Sequence, residues 1–369
     1  MKVLVVIGSQ INAFPPVRNL VEILIRNGHK VTVLARDNTG LFINAQKNYE
    51  FIVIPEPDPK RPSPIEYRKK QQFMRRVVKE EMKHHDILWT ATDATVRDLG
   101  DVVLKYKHVM QLMELIRDIP FIPGQKLIPL NIKRYAQQAY KVVVPEYNRA
   151  NIQQTWWDLK KRPTILPNKM SMPSFDAVDI PEDVQKILDE IDNEKKKIIL
   201  YQGVFHEDRE LETFIQATET MKNEYQIYLM GTDTPYRQKL SKTFPDVKYV
   251  SFIKPPFHLL VTKRAHIGLL PYKAAPYLHY AKINALYCAP NKIFEYSAYG
   301  VPMLGTDVPG LHEPFSTYNI GLTCEPLTAD KIARNIREIE RNYATMSDNC
   351  HDFYDSVDMD KIVEAILMD

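Results

Sequence analysis

Short β-branched runs alternate with amphipathic helical stretches along the whole of this sequence, and that alternation leaves few folds open. Residues 2–8 make one such run, closing in Gly8-Ser9. Phe14-Pro15-Pro16-Val17-Arg18 then opens a helix whose Leu20, Ile23, Leu24 and Ile25 form an apolar face before Asn27-Gly28-His29 stops it, and residues 31–35 supply the next strand. A strand, helix, strand order implies a parallel sheet wound with helices. Further strands are predicted at 51–54, 86–90, 107–113 and 141–144, with 162–168 leading out, and the second half repeats the pattern at 198–202, 225–230, 248–252, 267–270 and 301–305. A chain of 369 residues exceeds the usual size of a single core. The expectation is therefore α/β with two Rossmann-like, doubly wound domains.

Several classes lose support at once. No G-x-G-x-x-G follows the first strand, so the dinucleotide fingerprint is missing. Cys288, Cys324 and Cys350 are odd in number and far apart, without metal-ligand spacing, which points to a reducing compartment. A net charge of +3 is too small to argue for nucleic acid. The start MKVLVVIGSQ reads as a strand rather than a signal peptide, and no run of about 18 apolar residues exists, so a cytoplasmic protein is expected.

Two stretches in the first half suggest contact with a surface. Residues 67–85 predict a helix with Arg68, Lys69, Lys70, Arg75, Arg76, Lys79 and Lys83 around an apolar stripe of Ile65, Phe73, Met74, Val77, Val78 and Met82. Such a helix either lies on an anionic membrane or packs its stripe on its own sheet with the cations in water. The apolar, proline-broken segment 119–130 is either a membrane-touching or acceptor-lining loop or a covered loop packed on the first domain. Past the strand at 86–90 lies Asp93, a candidate for a polar or basic role toward a substrate and equally an N-cap for a helix over 94–106, and past the strand at 107–113 lies Glu114.

Chemistry is densest in residues 289–310, APNKIFEYSAYGVPMLGTDVPG. Pro290 suits the first turn of a helix, leaving the N–H groups of Asn291 and Lys292 to meet a phosphate beside the Lys292 ammonium. Glu295 follows one turn later, placed to accept from sugar hydroxyls. Gly300 should end the helix before a buried strand. The bland alternative is an ordinary i, i+3 ion pair on a solvated helix, worth about 0.2–0.5 kcal/mol.

This Pro-x-Lys-x-x-Glu helix with its Gly-Val-Pro strand resembles the nucleotide-sugar segment of GT-B glycosyltransferases, particularly the retaining family 4. The opening run FPPVRNLVEILIRNGHKVTVLAR is similar to the start of the same family. The resemblance implies two domains facing a central cleft: 1–167 for the acceptor, 168–350 for the donor, and a C-terminal helix over 351–369 returning to the first. It also implies a nucleotide-diphosphate-sugar as donor substrate; Asp93 and Glu114, at their strand ends, are the candidate catalytic residues, and with no Asp-x-Asp pair placed to hold Mg²⁺ at a diphosphate, no cofactor or metal is expected. The loop after residue 202 resembles the family's glycine-rich loop: Gly203 is kept, Val204 stands where an arginine is usual, and Arg209 stands where a lysine is common, or else pairs with Glu207 or Glu212. Of two family glutamates eight apart, Glu295 is the second and Tyr287 replaces the first. The other strand ends add Gly231, Thr232, Phe252, Ile253 and Tyr272 as donor contacts. Expected partners are the nucleotide-sugar, a saccharide or lipid-linked saccharide acceptor for a surface polysaccharide, and the anionic inner face of a membrane. A non-catalytic GT-B subunit and a sugar-nucleotide epimerase are the rival readings.

Overall fold

In a computed structural model of the chain, described for all residues except 38–47, 56–63, 121–128, 177, 276–281 and 369, two compact units form: Met1–Asn168 together with Asp358–Asp369, and Lys169–Val357. Each carries one parallel sheet.

The first unit contains β1 (Lys2–Val6), β2 (Lys30–Ala35), β3 (Tyr49–Val53), β4 (Ile87–Ala91), β5 (His108–Gln111), the two-residue β6 (Ile119–Pro120) and β7 (Pro129–Leu130), β8 (Lys141–Val144) and β9 (Thr164–Ile165). Seven of them make a sheet in the order β3-β2-β1-β4-β5-β8-β9, every pair parallel, with Val3 opposite both Val31 and Ile87. Val3 to Val6 and Ile87 to Ala91 are buried, as a sheet covered on both faces requires. β6 and β7 pair with each other, antiparallel. Most of the proline-dense 55–64 connection and most of the apolar segment 119–130 lie outside the described residues.

The basic helix runs Pro64–Glu81, earlier than the predicted 67–85. Met74 and Val78 are buried, and Lys70 is buried with them because its ammonium turns inward, donating to the Gly8 carbonyl at 2.8 Å and to Asp98 Oδ2 at 3.0 Å. Arg68, Lys69, Arg76 and Lys79 stay exposed. The stripe thus packs on its own domain. The helix after β4 spans Asp93–Leu99 rather than 94–106, followed by a 3-10 turn over Gly100–Lys105. Asp93 is not its cap: Thr92, at φ +75°, stands outside the helix and its hydroxyl accepts from the Thr95 amide, leaving Asp93 as the first helical residue.

In the second unit β10 (Lys197–Gln202), β11 (Tyr225–Gly231), β12 (Lys248–Ser251), β13 (Ile267–Leu270), β14 (Met303–Thr306) and β15 (Gly321–Cys324) form a parallel sheet ordered β12-β11-β10-β13-β14-β15. The helix Tyr343–Ser356 packs within this unit, burying Met346, Cys350 and Phe353. The chain then returns to the first unit. Helix Met359–Met368 buries Met359, Val363, Ile366 and Leu367, and it is fastened to the end of helix Pro15–Arg26 by Arg26 donating to both Asp360 oxygens at 2.8 and 2.7 Å and by His29 Nε2 2.8 Å from Glu364 Oε1.

Candidate functional site

Each sheet reverses its strand order beside its first strand, between β1 and β4 in one unit and between β10 and β13 in the other. Ligands of open parallel sheets bind past the carboxyl ends of the strands at such a reversal. In the second unit the loops meeting there are the one after β10, beginning at Gly203, and the one after β13, containing Tyr272, with Arg209 and Tyr272 bridging the two.

Helix Asn291–Ala298 delivers the charged residues to this point. It begins one residue later than its proline implied, Pro290 serving as N-cap with an extended ψ of 137°. It ends where expected: the Gly300 N–H donates to the Ser297 carbonyl at 3.0 Å and the Val301 N–H to the Tyr296 carbonyl at 3.1 Å, the paired bonds of a Schellman cap. Lys292 in the first turn lies against the loop after β10. A Cβ at residue 203 would sit 3.0 Å from Lys292 Cε and 3.3 Å from its Nζ, and residue 203 has φ +151°, so both the fit and the backbone call for glycine. Gly231, at the end of β11, is constrained harder, since a Cβ there would lie 2.0 Å from the Gly203 carbonyl oxygen.

Burial is the largest influence on Lys292 and lowers its pKa, Arg209 nearby lowers it further, and Glu295 opposes both. For Glu295, itself only 6% exposed, burial works against the charge, yet His258, Lys292 and Gln202 together outweigh it and hold the carboxyl below its usual range. The result is a desolvated cation beside a desolvated carboxylate. That is not the solvated ion pair of an ordinary helix surface, and a binding anion would find the half-buried cation already partly stripped of water.

Arg209 is partly buried, its Nη1 donating to Asp208 Oδ2 at 2.6 Å and its guanidinium 4.4 Å above the Tyr272 ring. Its carboxylate partner is thus Asp208, neither Glu207 nor Glu212. The Tyr272 carbonyl in turn accepts from Thr306 Oγ1 at 2.5 Å. Gly203, Arg209, Tyr272, Lys292 and Glu295 therefore come together. Gly231 lies beneath them, Asn291 begins the helix, Thr232 and Phe252 are exposed past β11 and β12, and Ile253 is packed into the core of the unit. Tyr287 lies ahead of the helix, just past the short helix Lys282–Leu286. In the first unit Asp93 is buried past β4 at that sheet's own reversal, while Glu114 is half-buried three residues past β5.

Sequence reasoning missed Gln202 and His258, which face the Glu295 carboxylate, and Thr262, which donates to Gln202. A polar residue ending the apolar run KIILYQ, and a His-x-x-x-Thr spacing that puts both residues on one helix face, were the available signals.

Residues 196–342 match the family model of glycosyl transferases group 1. The matched stretch falls within the second unit. Solved structures extend the likeness to the fold of the whole chain, which is GT-B. The Anabaena protein HepE in complex with UDP and glucose matches at TM-score 0.68 and 13% identity over 100% of this chain and 98% of that one. WaaG, a glycosyltransferase involved in lipopolysaccharide biosynthesis, matches at TM-score 0.62 and 15% identity over 98% of each chain. A putative UDP-N-acetylglucosamine 2-epimerase from Listeria monocytogenes matches at TM-score 0.61 and 10% identity, covering 100% of this chain and 94% of that one. No curated protein matches the sequence significantly.

Proposed function

We propose that this glycosyltransferase moves a sugar from a nucleotide-diphosphate-sugar to a saccharide acceptor. The donor would be held by the second unit, through residues 168–350, and the acceptor by the first, residues 1–167. The observation that carries this reading is Lys292, desolvated and lodged against Gly203 at the sheet reversal with Glu295 one turn on. In this reading the diphosphate meets Lys292 and Arg209, and the amides of Asn291 and Lys292; Glu295 accepts from the ribose. Gly203, Thr232, Phe252 and Tyr272 line the remainder, with Gly231 and Ile253 packed beneath. Protein cations neutralise the leaving diphosphate, so transfer needs no metal; retention at the anomeric carbon is what the resemblance to family 4 implies. Asp93 and Glu114 serve the acceptor hydroxyl. HepE, solved with UDP and glucose, supports the donor class.

Calorimetry against a panel of nucleoside diphosphates tests the donor site. Lys292→Ala should weaken binding by about 10- to 100-fold, the loss of a charge-assisted contact of roughly 1.5–3 kcal/mol, with the melting temperature little changed. Unchanged affinity would return Lys292 to a structural role. Transfer that stops in EDTA and resumes with Mg²⁺ would sink the metal-free mechanism.

The acceptor is a lipid-linked or surface-polysaccharide precursor reached at a membrane face. WaaG acts in lipopolysaccharide biosynthesis, and Arg68, Lys69, Arg76 and Lys79 form an exposed cationic helix face. Each contributes about 1 kcal/mol near an anionic surface. Flotation with anionic liposomes at low salt should carry the protein upward and high salt should release it; no flotation at low salt would move the acceptor into solution.

A further inference from the structure

Behind Glu295 runs a buried polar chain that the donor reading does not use. Thr262 Oγ1 donates to Gln202 Oε1 at 2.7 Å, and Gln202 Nε2 donates to Glu295 Oε2 at 2.7 Å. His258 Nε2 lies 3.7 Å from the same carboxylate oxygen. Thr262 is fully buried, Gln202 is 3% exposed, and the two sit 60 residues apart in the sequence, on β10 and on the helix His258–Thr262.

The order of these bonds has only one consistent direction. A carboxylate only accepts, so Gln202 must present its amide nitrogen to Glu295 and its oxygen to Thr262. Thr262 must then turn its single proton toward Gln202, although the His258 carbonyl lies 3.2 Å from the same hydroxyl. Remove that hydroxyl, and the Gln202 oxygen loses its partner, so the amide is held only by the carboxylate it is meant to fix. Oε2 of Glu295 is engaged by Gln202 and faced by His258, which leaves Oε1 as the oxygen without a protein hydrogen bond among the described residues.

We propose that Gln202 is a positioning residue for Glu295, locked by Thr262, and that the pair sets a preference for ribose over 2′-deoxyribose in the bound nucleotide. The inference rests on the donor reading above. With Oε2 tethered, Oε1 is fixed in direction, and a fixed acceptor rewards a hydroxyl only at the right place. An untethered carboxylate swings to whichever donor is available and loses that selectivity.

The test is the ratio of dissociation constants for ADP, GDP, CDP and UDP against their 2′-deoxy counterparts, measured on the full chain. Wild type should favour the ribonucleotide of its preferred base by on the order of tenfold, the worth of one hydrogen bond to a charged group. Thr262→Val, nearly the same shape without the donor, and Gln202→Met should both bring the ratio close to one while the deoxynucleotide binds as before; Thr262→Ser should restore it. A merely structural role would weaken both sugars together. A wild-type ratio near one would overturn the inference without help from any variant. An undiminished ratio in folded Thr262→Val would also overturn it and leave the donor site intact. Failure of wild type to bind any of the four diphosphates would instead overturn the donor reading, and this inference with it.

Discussion

At the scale of single residues, the close approach of β10 to β11 makes Gly231 the least replaceable position near the site. Gly231→Ala has to move the Gly203 carbonyl, which would otherwise lie 2.0 Å from the new methyl, and with it the loop facing Lys292. Such overpacking costs on the order of 1–3 kcal/mol, so the variant should melt several degrees lower and bind nucleotide poorly. A normal melting temperature would show that the two strand ends give way cheaply. His108 offers a separate measurement. Buried at the start of β5, with Nε2 2.7 Å from Thr90 Oγ1, it is pushed by burial from 6.5 down to about 3. The folded protein therefore prefers neutral His108, and its contribution is complete above the unfolded pKa and lost as pH falls from 6.5 toward 3. The slope is about 1.4 kcal/mol per pH unit, and it should vanish in His108→Gln when denaturant melts are compared between pH 7 and pH 4.

At the scale of elements, the helix Pro64–Glu81 buries an apolar stripe and is also tied by one buried ion pair to the helix Asp93–Leu99. Asp98 receives Lys70 at 3.0 Å and also the Tyr67 hydroxyl, while Arg75 donates to its carbonyl at 2.9 Å. Lys70 has its pKa lowered chiefly by burial, with Asp98 opposing. Asp98→Ala should leave an unpaired buried cation and cost about 3–5 kcal/mol, whereas the double change Lys70→Met with Asp98→Leu should recover much of that. Equal losses in the two proteins would mean the pair carries no special weight. These inward bonds were not legible beforehand, because a lysine within a basic helix gives no sign of which face it takes. The central strands were legible: burial on both faces made them continuous β-branched runs. β15 (GLTC) and the helix Tyr343–Ser356 were missed, one being short and mixed in composition, the other burying only Met346, Cys350 and Phe353 over four turns. In the site, Lys292 and Glu295 showed themselves through their spacing on one helix, while Gln202 and Thr262 meet only through folding.

At the scale of the molecule, the first unit is completed by a segment that follows the second unit in sequence. Removing residues 358–369 takes away Met359, Val363, Ile366 and Leu367 from the face of helix Pro15–Arg26, along with the Arg26–Asp360 and His29–Glu364 pairs. At about 1.5 kcal/mol or more for each buried apolar side chain, the loss should reach several kcal/mol and fall on the first unit alone. Amide hydrogen exchange should then show weakened protection in β1, β2 and β4 and unchanged protection in β10, β11 and β13. Equal protection in both units would mean that the last helix is an ornament.

The same discontinuity sets an order of events during synthesis. A ribosome adding about 5–20 residues per second releases the first 168 residues some ten to forty seconds before the helix that covers them. During that interval the second unit emerges and has all of its own sequence, while helix Pro15–Arg26 of the first waits for helix Met359–Met368. The later-made half can finish folding before the earlier one, and the nascent first unit is the part that a chaperone would find open.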